Sequence, residues 1–66
     1  MDDAVIDALR RAVSMSPDDA ALRLHLADLL FKAGHTGEAV QHCALVLADK
    51  PTHAGALSLL TRASDP

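Results

Sequence analysis

The apolar residues of the first stretch, Val5, Ile6, Leu9, Ala12 and Val13, fall at i, i+1, i+4, i+7 and i+8. That spacing is one face of an α-helix, and it predicts a first helix from about Asp3 to Met15. Asp7, Arg10, Arg11 and Ser14 take the other side. Asp2 and Asp3 suit the helix N-terminus, as caps and as partners of the helix dipole. Asp7 and Arg11 have the i, i+4 spacing of a helical ion pair. Ser16-Pro17-Asp18-Asp19 then reads as a stop followed by a start. Pro17 cannot continue the first helix but fits the first turn of a second, with Ser16 or Asp18 as the cap. The second helix is expected to run to about Ala33. Leu22, Leu26, Leu29, Leu30 and Ala33 make one face, and Leu24, Ala27 and Phe31 add another. A helix apolar around most of its girth is packed on more than one side. Leu26 is expected in a central seam and Ala27 at a close helix–helix approach. Gly34 ends the helix in the left-handed conformation that glycine tolerates best.

Thr36 opens a third helix, with Glu38 in its first turn. Ala39, Val40, Cys43, Val46 and Leu47 repeat the spacing of the first helix. Lys50-Pro51-Thr52 is a second stop and start. A last helix is predicted from about His53 to Ala63, carrying Leu57, Leu59 and Leu60, and residues 63–66 read as a tail or linker. Pro17 and Pro51 lie 34 residues apart, and each closes one helix and opens another. The same shift sets Ala20 on Ala54, Leu26 on Leu60, Ile6 on Val40, Leu9 on Cys43 and Val13 on Leu47.

A helical pair recurring every 34 residues has the period of a tetratricopeptide repeat. The chain resembles that family in particular residues. Arg23, Leu26, Ala27 and Leu30 stand at the large, leucine, small and large positions of the family's first helix. Ala39 and Cys43 follow in the second helix, and Pro51 closes the unit. Gly34 and Glu38 match residues common around the turn. One complete degenerate repeat, about Ala20 to Thr52 or His53, is flanked by two half repeats. Arg23 replaces the usual aromatic, Cys43 is smaller than the usual aromatic, and Leu57 rather than Trp begins the next unit. The resemblance implies an all-α fold: antiparallel helix pairs in a right-handed stack of about four helices. A generic three- or four-helix bundle is the alternative.

Composition agrees with helices. Half of the residues are apolar, most of them Ala and Leu, and Phe31 is the one aromatic residue. Such a chain is a single small domain, expected to expose about 4,000 Å² when folded. No apolar run approaches the roughly 20 residues of a membrane span, and the acidic start Met1-Asp2-Asp3 does not read as a secretory signal. A net charge of −3, with no basic cluster and no stacking aromatics, argues against nucleic acid. One cysteine forms no internal disulfide, which suits a reducing cytosol.

The chemical candidates are weak. His25, His35, His42 and His53 are 10, 7 and 11 residues apart, so no i, i+4 pair forms and no metal site is expected. Cys43 lies on an apolar stripe, where a buried small side chain is expected rather than a nucleophile. Asp18-Asp19 suits capping, and the three glycines fit no phosphate loop. Neither catalysis nor a cofactor is expected. What remains is surface. In relatives of this kind the first helix of each pair lines a groove that receives a peptide or a partner helix. Here that face would present Leu24, Asp28, Phe31, Lys32, Ser58 and Arg62. Leu24 and Asp28 stand where a carboxylate-clamping relative has Lys and Asn, so that mode of recognition is not expected. Leu24 and Phe31 look surplus to one small core and would form an exposed apolar patch, a mark of a binding surface. The expected function is protein–protein interaction through this face, with a protein or peptide partner or as a homo-oligomer. The alternative is an N-terminal regulatory or targeting domain of a larger enzyme, such as a bacterial ATPase machine. Met1 reads as a natural start and Pro66 as an arbitrary end, which fits that alternative. A stand-alone bundle with a small-molecule or metal site is the third reading.

Overall fold

The computed structural model describes residues 3–64, and the side chains of residues 3–62. Four helices follow one another: α1 (Asp3–Met15), α2 (Ala20–Lys32), α3 (Thr36–Asp49) and α4 (Ala54–Ser64). Among the described residues there is no strand. α2 packs against all three other helices, most extensively against α3. The helix apolar on most sides is therefore the central one. The slab measures 30 × 30 × 14 Å between Cα extremes and exposes 4147 Å². The thin dimension fits two layers of helices about 8–10 Å apart.

The two proline turns work alike, and both differ from the expectation in detail. The Asp19 N–H donates to the Ser16 carbonyl at 3.0 Å, and the His53 N–H donates to the Lys50 carbonyl at 3.0 Å. Each proline thus sits second in a β-turn, where its fixed φ belongs, and not in the first turn of the next helix. The cap is then the residue that closes the turn. Asp19, not Ser16 or Asp18, accepts from the Leu22 N–H through Oδ1 at 3.0 Å. His53 lies just before α4 and accepts from the Ala56 N–H through Nδ1 at 3.4 Å. At the end of α2, Gly34 has φ +88°. The His35 N–H reaches the Leu30 carbonyl at 2.8 Å and the Gly34 N–H reaches that of Phe31 at 3.1 Å, closing the helix with a Schellman motif. The expected tail is shorter, because α4 continues to Ser64. Asp2 as a cap and Asp65-Pro66 as a tail lie outside the described residues.

The core follows the α2–α3 seam. Leu26, Ala27, Leu30, Ala39 and Cys43 are wholly buried, and Val46 nearly so. Ile6 and Val13 join from α1, and Ala56 and Leu59 from α4. Among the described residues no polar or charged side chain is buried. Burial pushes the Cys43 thiol above its ordinary pKa, since the thiolate loses its hydration. Two positions of the expected apolar stripes face solvent instead, Val5 on α1 and Val40 on α3, and Leu57 on α4 is exposed as well. Asp7 pairs with Arg10 at 2.7 Å, not with Arg11.

Candidate partner-binding surface

The last two turns of α2 and the middle of α4 border a cleft of about 310 Å³. Asp28, Phe31 and Lys32 reach it from α2 at i, i+3 and i+4. Leu59 and Arg62 reach it from α4, and Thr36 from the start of α3. Phe31 and Leu59 supply the apolar floor. The rim is charged: Asp28 Oδ2 is 3.0 Å from Lys32 Nζ, and Asp28 Oδ1 accepts from Arg62 Nη2 at 3.2 Å. Both cations stay largely in water, while Asp28 is mostly covered. One carboxylate therefore faces two cations, and the rim carries a net positive charge.

Four of the six surface residues named from the sequence meet here: Asp28, Phe31, Lys32 and Arg62. Leu24 does not line the cleft. It packs against the start of α4, where a Cβ added to Gly55 would lie 3.1 Å from Leu24 Cδ1. Ser58 is exposed, one turn before Arg62, and outside the cleft. The exposed patch expected from Leu24 and Phe31 is not formed, because both are partly buried against the core. Among the described residues the exposed large apolar ones are Val5, Met15, Val40, Leu45 and Leu57. Thr36 and Leu59 were missed as surface residues. Gly34 turns the chain sharply enough to set the first residue of α3 beside the end of α2, and that signal places Thr36.

A second polar cluster ties α1, α2 and α3. Arg10 grips Glu38 with two hydrogen bonds of 2.7 Å, Nε to Oε2 and Nη2 to Oε1, and gives Nη1 to Asp7. Glu38 Oε2 lies 3.8 Å from His42 Nε2. His42 Nδ1 lies 3.0 Å from Arg23 Nη1, and Arg23 Nη2 donates to the Pro17 carbonyl at 3.1 Å. Arg10 holds the Glu38 carboxyl below the usual carboxylate range. Arg23, which stands in place of an aromatic, joins its helix to α3 by hydrogen bonds instead of ring packing.

Cys43 is buried with a raised pKa, the opposite of an activated thiol. Among the described residues no three His, Cys, Asp or Glu side chains converge. No helix there is long and apolar enough to cross a membrane. The wholly buried residues Leu26, Ala27, Leu30, Ala39 and Cys43 are the helical-pair pattern read in the sequence. A family model described as tetratricopeptide repeat matches residues 2–63. The chain belongs to the tetratricopeptide repeat family. That membership makes this tetratricopeptide repeat chain a protein-interaction module. No curated protein and no solved structure gives a significant match.

Proposed function

We propose that the chain docks a protein or peptide partner in the cleft between α2 and α4 and performs no catalysis of its own. The observation that carries this is the apolar floor of Phe31 and Leu59 beneath the Asp28–Lys32–Arg62 rim. An apolar side chain of the partner covers the floor and gains from leaving water. Lys32 and Arg62 share one carboxylate, so an acidic group next to that side chain completes the charge balance. Leu24 shapes the surface from beneath by setting the distance between α2 and α4. Ser58 extends it by one turn.

Reversing the rim with Lys32→Glu and Arg62→Glu together tests this. Both side chains are exposed, and unchanged helical circular dichroism of the double variant is the control for its fold. Peptides selected from a random library on the wild-type chain should move the NMR signals of Phe31, Thr36 and Leu59. They should bind the double variant at least about tenfold more weakly. Ligands that map to α1 and bind both chains equally would overturn the proposal. Light scattering distinguishes the partner. A wild-type dimer at tens of micromolar that the double variant dissociates makes a second copy the occupant. A monomer at that concentration makes it a different protein.

A further inference from the structure

Docking at the α2–α4 cleft does not use the polar cluster that crosses from α2 over α3 to α1. Its hydrogen bonds dictate where the His42 proton sits. A guanidinium can only donate, so Arg23 Nη1, 3.0 Å away, requires His42 Nδ1 to be unprotonated. The neutral ring then carries its hydrogen on Nε2, the nitrogen that faces Glu38 Oε2. Arg23 spends its other terminal nitrogen on the Pro17 carbonyl, in the turn between α1 and α2.

We propose that His42 is a proton-operated latch: neutral, it ties Arg23 and the Pro17 turn to α3, and protonated, it releases Arg23 and closes on Glu38. A proton on Nδ1 sets two donors against each other. It also places a third cation in the cluster. From α1 the ring meets Arg10, from α2 Arg23, and on its own helix Glu38, with His35 beyond. Glu38 alone attracts the new charge, and Arg10 already holds both its oxygens. Burial, and next the Arg23 charge, keep the imidazole pKa below its ordinary value, with Glu38 opposing them.

The sign follows from linkage. The unfolded chain takes up this proton at a higher pH than the folded chain does. Stability is therefore complete above the ordinary histidine pKa and declines as pH falls below it. One proton changes the folding equilibrium constant by at most about tenfold per pH unit. The loosening is directed at one joint. The Arg10–Glu38 grip between α1 and α3 survives, while the link from the Pro17 turn through Arg23 to α3 opens.

The test is a pH titration of the whole chain by nitrogen-15 NMR. At pH 8 the His42 ring should show Nδ1 bare and Nε2 protonated. Its midpoint should lie below that of the same residue in urea. The amide signals of Asp18 and Asp19 and the side-chain signals of Arg23 should move with that midpoint. His42→Gln offers Arg23 an oxygen that does not titrate, so its stability should fall less steeply between about pH 7 and 5. A proton on Nδ1 at pH 8, a midpoint at or above the unfolded one, or turn amides that ignore the titration would each overturn the latch. If His42→Gln does not fold, the wild-type titration decides alone.

Discussion

The inner helices α2 and α3 and the outer helices α1 and α4 bury different faces. In α2 and α3 the family's pattern positions are the core: Leu26, Ala27, Leu30, Ala39 and Cys43 are all wholly buried. Thirty-four residues away the same positions are only partly covered. Leu60 is half-buried and Thr61 exposed on α4, while Val5 is exposed and Leu9 half-buried on α1. The outer helices turn other residues inward, Ile6 and Val13 on α1 and Ala56 and Leu59 on α4. The pattern therefore describes a seam between two paired helices, not a property of either one. Where the described residues supply only one member of a pair, the pattern face is partly covered, and a neighbouring stripe is the one fully buried. Small side chains allow this: Ala56 and Gly55 let α4 approach α2 closely enough to touch Leu24.

Truncating the seam is the strongest way to break this contrast. Leu26→Ala should cost about 2–5 kcal/mol. A domain this small has roughly 3–10 kcal/mol of stability in all, so the variant should be largely unfolded. Loss of helical circular dichroism and rapid labelling of Cys43 without denaturant would register it. Native-like slow labelling would show that Leu26 is not the keystone of the seam. At the edge, Leu59→Ala should cost about 2 kcal/mol, the low end of the range, because Leu59 borders an open cleft into which neighbours and water can relax. Its effect should be local. Hydrogen exchange should lose protection in α4 and keep it in α2 and α3. If all four helices lose protection together, inner and outer helices are one cooperative unit and the contrast disappears. The rim should matter least. Asp28→Asn removes two ion pairs whose cations stay in water, each worth about 0.2–1 kcal/mol, so it should cost at most about 2 kcal/mol, less at high salt. Urea midpoints at two ionic strengths would sharpen the distinction between packing and charge.

Most of this fold was legible as local chemistry. The i, i+4 spacings located all four helices, the 34-residue shift located the repeat, and Gly34 located the turn between α2 and α3. The misses have physical causes. Asp19 was passed over as the cap because a proline turn needs its fourth residue before a helix can begin. Val5, Val40 and Leu57 belong to apolar stripes, but a stripe does not say which part of it a neighbour will cover. Arg10 turned to Asp7 instead of leaving it to Arg11 because Glu38, 28 residues on, fixes the Arg10 guanidinium in place. The Arg23–His42 contact also joins residues far apart in sequence, 19 positions from one to the other. Of the candidate surface, the α2 residues were legible from helical phase. Leu59 was not, since a residue that seals the core from below can also floor a cleft from above.

Asp28 and Arg62 are bonded across 34 residues, so they occupy one position in successive units. A verbatim tandem duplication of either unit would set carboxylate against carboxylate or guanidinium against guanidinium. Two like charges about 4 Å apart in water repel by about 1 kcal/mol. A newly copied unit is thus penalised at this contact until one copy changes sign. Faithful copies stack worse than diverged ones, and an array designed from a single consensus unit inherits the penalty at every junction unless this position alternates in charge.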